Sequence, residues 1–136
     1  MDLQLAADRL RAQCPVLRLV ALGLDYDSAA ATTPAAYLVA EEEQAEPPEL
    51  IGSRAQRVEL RFSVSLVVAS AARQAGIGGG LAAAIEAARA DVLDALRGWL
   101  PDGCDWPVEH RGGRLVASEV GRAVWSDTFA VGFLRE

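Results

Sequence analysis

From Arg57 onward apolar and polar positions alternate unusually cleanly. Val58, Leu60, Phe62, Val64, Leu66 and Val68 fall on one side, and Arg57, Glu59, Arg61, Ser63 and Ser65 on the other. A period of two over this length predicts a long strand with one buried and one wet face, because successive side chains of an extended backbone point to opposite sides. After Gly80 the period changes. Leu81, Ile85, Ala88, Val92, Leu96 and Trp99 recur at three- and four-residue steps with Glu86, Arg89, Asp91, Asp94 and Arg97 between them, which predicts the main helix. Burying Leu81, Ile85, Val92, Leu96 and Trp99 against a sheet is expected to contribute on the order of 8 to 15 kcal/mol before chain entropy is subtracted. Gly98 stands where such a helix ends, and Pro101-Asp102-Gly103 turns the chain directly afterwards.

The remaining segments complete the layout. Residues 2 to 13 read as a short amphipathic helix capped by Asp2 and ended by Pro15. Val16 to Leu22 reads as a strand buried on both faces, although periodicity alone leaves a further helical turn open. Asp25 to Thr33 is small and polar, Pro34 to Val39 is extended, and the acidic, proline-containing stretch from Glu41 to Glu49 reads as a loop. Trp106 to Arg111 and Arg114 to Glu119 flank Gly112-Gly113, the two-residue reversal expected of a hairpin. Trp125, Phe129, Val131 and Phe133 share one face of a closing strand on which Asp127 is the polar exception. This order predicts an α+β fold in one domain, residues 1–136: a mainly antiparallel sheet with one long central helix and a short N-terminal helix packed on one face. The expected core is Phe62, Leu66, Ile85, Val92, Leu96, Trp99, Trp125 and Phe129.

Composition narrows the function more than the fold. The chain has 136 residues, 51% hydrophobic and 24% charged, enough for a packed globule or a subunit that also buries surface against neighbours. Its net charge of −6 argues against a general phosphate-neutralising surface. All of its basic side chains are arginines, which form bidentate ion pairs and suit subunit interfaces. Cys14 and Cys104 lack C-x-x-C spacing and share the chain with a single histidine, so free reduced thiols are expected and no metal site. The N-terminus lacks the basic and apolar blocks of a secretory signal, and no apolar run reaches membrane-spanning length, so a soluble protein made in a cytoplasm is expected, with no membrane partner.

The candidate reactive groups are weak. Gly76-Ile77-Gly78-Gly79-Gly80 precedes a helix but lacks the lysine of a phosphate loop, and reads as a flexible connector. His110 beside Glu109, with Asp105 and Cys104 nearby, suggests acid–base or thiol chemistry. Neighbours on a strand point to opposite faces, however, so a solvent-facing histidine is the simpler reading. Glu41, Glu42, Glu43, Glu46 and Glu49 lack the spacing and glycine pivot of a calcium loop. Arg57, Glu59 and Arg61 either bridge to a neighbouring chain, line a channel, or stand as ordinary charges on a wet sheet face. No catalytic, cofactor or metal residue is assigned.

The ordered set of Pro34-Ala35-Ala36-Tyr37-Leu38-Val39, the long alternating strand, a helix ending in Leu96-Arg97-Gly98-Trp99-Leu100-Pro101, Gly113-Arg114-Leu115 and Trp125-Ser126-Asp127-Thr128-Phe129 resembles the small tail terminator (tail completion) proteins of tailed bacteriophages and prophages. The resemblance spans residues 15 to 133. It implies a non-enzymatic subunit of the virion tail that assembles in the host cytoplasm into a homo-oligomeric ring, usually a hexamer. Such a ring sits at the head-proximal end of the tail tube, stops tube polymerisation and offers a surface to the head–tail connector protein. The implied partners are further copies, the tail tube protein and the connector, with DNA passing through without specific binding and with no cofactor. Arg57, Glu59 and Arg61, with Glu41, Glu42 and Glu43, are the expected interface residues. Tail-tube and head–tail joining subunits share part of this pattern. A small cytoplasmic enzyme or ligand-binding domain using a pocket near His110 and Cys104 is the reading from another class. Tail type, and phage versus gene transfer agent or tail-like bacteriocin as the source, stay open.

Overall fold

The computed structural model describes residues 1–23, 32–69 and 79–136. Most of the small polar stretch after Asp25, and the glycine break up to Gly78, lie outside the described residues. Helix α1 spans Leu3–Gln13. The Asp2 carboxylate accepts the Gln4 N–H at 2.9 Å, and the Cys14 N–H closes the last turn on the Leu10 carbonyl at 2.8 Å. Both ends are therefore satisfied locally, just before Pro15 stops the helix. Strand β1 covers only Leu19–Leu22, and of its four residues only Val20 is buried. A strand buried on both faces was expected here. Instead β1 is a sheet edge, and Arg11 caps it by donating to the Val20 carbonyl at 2.7 Å.

Strands β2 (Ala35–Ala45), β3 (Gln56–Ala69), β4 (Trp106–Glu119) and β5 (Arg122–Arg135) complete a five-stranded sheet of order β1-β2-β3-β5-β4. The β1–β2 pair is parallel and the other three pairs are antiparallel. Helix α2, Gly79–Leu96, packs with α1 over one face, giving the α+β architecture expected from the sequence. Phe62, Leu66, Val92, Leu96 and Phe129 are fully buried together there. Phe62 and Phe129, opposite each other in the register, stack with centroids 5.5 Å apart.

Further expectations change. Ile85, Trp99 and Leu81 are only half-buried, because α2 buries chiefly its C-terminal half through Ala88, Val92, Ala95 and Leu96. Its apolar contribution is smaller than five fully buried large side chains would supply. Trp125 is likewise half-buried. The supposed wet face of β3 is wet only at its start: Ser63, Ser65 and Val67 are buried, the last in a second cluster with Ala35, Tyr37 and Val124.

Glu41, Glu42 and Glu43 lie within β2, not in a loop. Cross-strand partners hold them extended: Glu42 stands opposite Arg61 after a register shift that bulges at Glu41, and Glu43 bonds Arg135 at 2.7 Å. The loop begins beyond Ala45, near Pro47-Pro48, whose missing N–H groups end the ladder.

Gly112-Gly113 is not the hairpin reversal. β4 runs straight through it, and the chain reverses at Val120-Gly121, with Gly121 at φ +78°. The reason for glycine is proximity. A Cβ at Gly113 would lie 2.2 Å from Asp127 Oδ1 and 2.8 Å from Trp125 Nε1, so only glycine leaves room for those side chains on β5.

Candidate functional site

That proximity leads to the most extensive hydrogen-bonded side-chain arrangement among the described residues. The alternation of β5 puts Trp125, Asp127 and Phe129 on the helix-covered face, with Asp127 opposite Val64. A carboxylate there is fully buried and must be compensated. Arg89 reaches down from α2 and grips both Asp127 oxygens, Nε at 2.9 and 3.1 Å and Nη2 at 3.0 Å. His110 Nε2 on β4 lies 2.8 Å from Oδ1, and Trp125 Nε1 donates to Oδ2 at 3.1 Å. The hydrogen bonds that Arg89 donates to Asp127 push the guanidinium value further up, so it stays charged, and Arg89 also stacks over the Trp125 ring at 4.9 Å. His110 is therefore not the solvent-facing residue expected from the sequence. It leans on the Phe129 ring with a centroid separation of 5.4 Å, while Glu109 points away, as strand geometry requires. The arrangement joins α2, β4 and β5 through one carboxylate.

The opposite face carries the charged residues singled out in the sequence. Glu59 pairs with Arg61 at 3.4 Å and with Arg111, which also reaches Glu109 at 3.1 Å. Arg57 stacks on Trp106 at 4.1 Å, and Trp106 covers Gly132, where a Cβ would meet its ring at 2.9 Å. Glu42 bonds Gln44 at 3.0 Å. The structure thus brings Arg57, Glu59 and Arg61 into one belt with Trp106 and Arg111, while Glu43 is held apart by Arg135.

Among the described residues no group of three or more His, Cys, Asp or Glu is placed to hold a metal ion, and no helix is long and apolar enough to cross a membrane. An open cleft of about 700 Å³ lies between the end of α2 and β4, lined by Leu93, Asp94, Arg97, Val108 and His110 among others. Cys104 is buried, and that burial pushes its thiol up, opposite to the lowered value an attacking thiolate needs.

The family model described as "Phage tail terminator protein" matches residues 1–136. The chain belongs to the phage tail terminator family. It is a structural protein of the phage tail. Among solved structures, a chain of the "Virion of native gene transfer agent (GTA) particle" is similar with a TM-score of 0.61 and 15% identity, covering 97% of this chain and 93% of that one. At that identity the likeness concerns the fold. No curated protein matches the sequence.

For a tail terminator family member, the exposed apolar side chains are as informative as the buried acid. The three most exposed, Leu50, Ile51 and Val120, lie at opposite ends of the sheet. The β2–β3 connection carries Leu50, 73% exposed, and Ile51, fully exposed. The β4–β5 hairpin carries Val120, 98% exposed, with Leu115 and Val116 about half exposed. Sequence reading missed both ends. Adjacent aliphatics beside Pro47-Pro48 were the available signal for the first, and misplacing the reversal hid the second.

Proposed function

We propose that this chain, as a single domain over residues 1–136, assembles into a six-membered ring on the head-proximal end of a tail tube, ends tube polymerisation and presents the surface to which the head–tail connector binds. DNA passes through the ring without specific contacts, in keeping with the net charge of −6. Assembly takes place in the host cytoplasm, and the protein ends in the virion tail. The observation that carries this reading is the family match over residues 1–136. The geometry supports a part that works by contact: a rigid sheet, a helix locked to it through Asp127, and exposed apolar and charged projections. Glu41, Glu42 and Glu43 on β2, with the belt of Arg57, Glu59 and Arg61, supply the neighbour-facing charge.

Sedimentation of the purified protein with isolated tail tubes tests the reading. Co-sedimentation, with density capping one tube end in electron micrographs, is the expected outcome. Failure to bind or cap tubes at any concentration refutes it.

A further inference from the structure

We draw no further inference here: the strongest candidate, the open cleft of about 700 Å³ between the end of α2 and β4 beside His110, carries nothing because its lining sets Asp94 and Glu109 against Arg97 and nothing in the structure shows what would fill it.

Discussion

Removing the buried carboxylate is the sharpest test of how this fold is held. Asp127→Asn keeps the shape and takes away the charge. The amide then turns donors toward Arg89, which brings only donors of its own, at a point where Nε and Nη2 now sit 2.9 to 3.1 Å from the oxygens. Hydrogen bonds to charged groups contribute about 1.5–3 kcal/mol each, but Arg89 keeps 31% of its side chain exposed and can turn to water. A net loss of ~2–3 kcal/mol follows. Arg89→Met should cost more, ~3–5 kcal/mol, because it strands a carboxylate with no exposure on His110 and Trp125 alone. With an unfolding entropy of about 2.1 cal/mol/K per residue, a 3 kcal/mol loss lowers Tm by roughly 10 °C for a chain of this length. Thermal and urea unfolding followed by circular dichroism read both values. The double variant should fall short of the sum by ~1–3 kcal/mol. If each single change stays within about 0.5 kcal/mol of the natural protein, the range of ordinary surface substitutions, the reasoning is wrong.

Gly113→Ala should destabilise by ~1–3 kcal/mol in the same assay, since its Cβ would lie 2.2 Å from Asp127 Oδ1. An unchanged melt would show that β4 shifts freely. Cys14 is buried and its thiol is pushed up to about 11, chiefly by burial and secondarily by Asp91 and Asp94. Its folded value lies above the unfolded one of 9.0, so its contribution is fully present below pH 9 and is lost as pH rises toward 11. The stability difference between the natural protein and Cys14→Ala should therefore shift against the natural protein across that window, and iodoacetamide labelling of Cys14 should stay slow until urea unfolds the chain. Arg135 holds the Glu43 carboxyl below the usual range, by hydrogen bonding first. What this pair adds is present above the ordinary carboxylate value and lost as pH falls through the lowered one. Because both side chains are largely in water, Glu43→Gln should leave the melting curve at neutral pH unchanged within error.

The parts of this fold legible in the sequence are those governed by neighbours along the chain. The alternation from Val58 to Val68 marks β3 because burial on one face repeats every second residue, and Asp2 marks the start of α1 because capping is local. The misplaced reversal and the misread histidine share one cause. Two consecutive glycines signal a reversal or a close approach equally well, and the deciding contact, Asp127 against Gly113, belongs to a different strand. Once the reversal was placed at Gly112-Gly113, His110 could not meet Asp127. With the reversal at Val120-Gly121, the ladder brings His110 opposite Phe129, within reach of that acid. The lone acidic residue on the apolar face of β5 was the available clue, since a buried charge requires a partner. Choosing Arg89 among thirteen basic residues needed the docking angle of α2.

The buried acid also bears on assembly. It sits at the root of the β4–β5 hairpin, where the pairing shifts register between His110 and Gly112 and again between Leu115 and Ala117. Apolar residues on such a ladder tolerate small shifts. A carboxylate gripped by Arg89, His110 and Trp125 does not, because a slip of one residue would send it to the other face. Buried ion pairs are weak evidence for stability, and their best-attested use is to fix one arrangement among several. Arg89→Met/Asp127→Leu separates the two roles. Apolar replacement of a buried pair is often neutral in stability, so this variant should melt within about 1–2 kcal/mol of the natural protein. Its hairpin would then be set less firmly, and ordering it on contact would cost about 0.5–1.5 kcal/mol for each side chain fixed. Association, measured by sedimentation beside the natural protein, should weaken roughly tenfold for every 1.4 kcal/mol so lost. A variant that keeps both its melting point and its association would reduce Asp127 to a replaceable core residue.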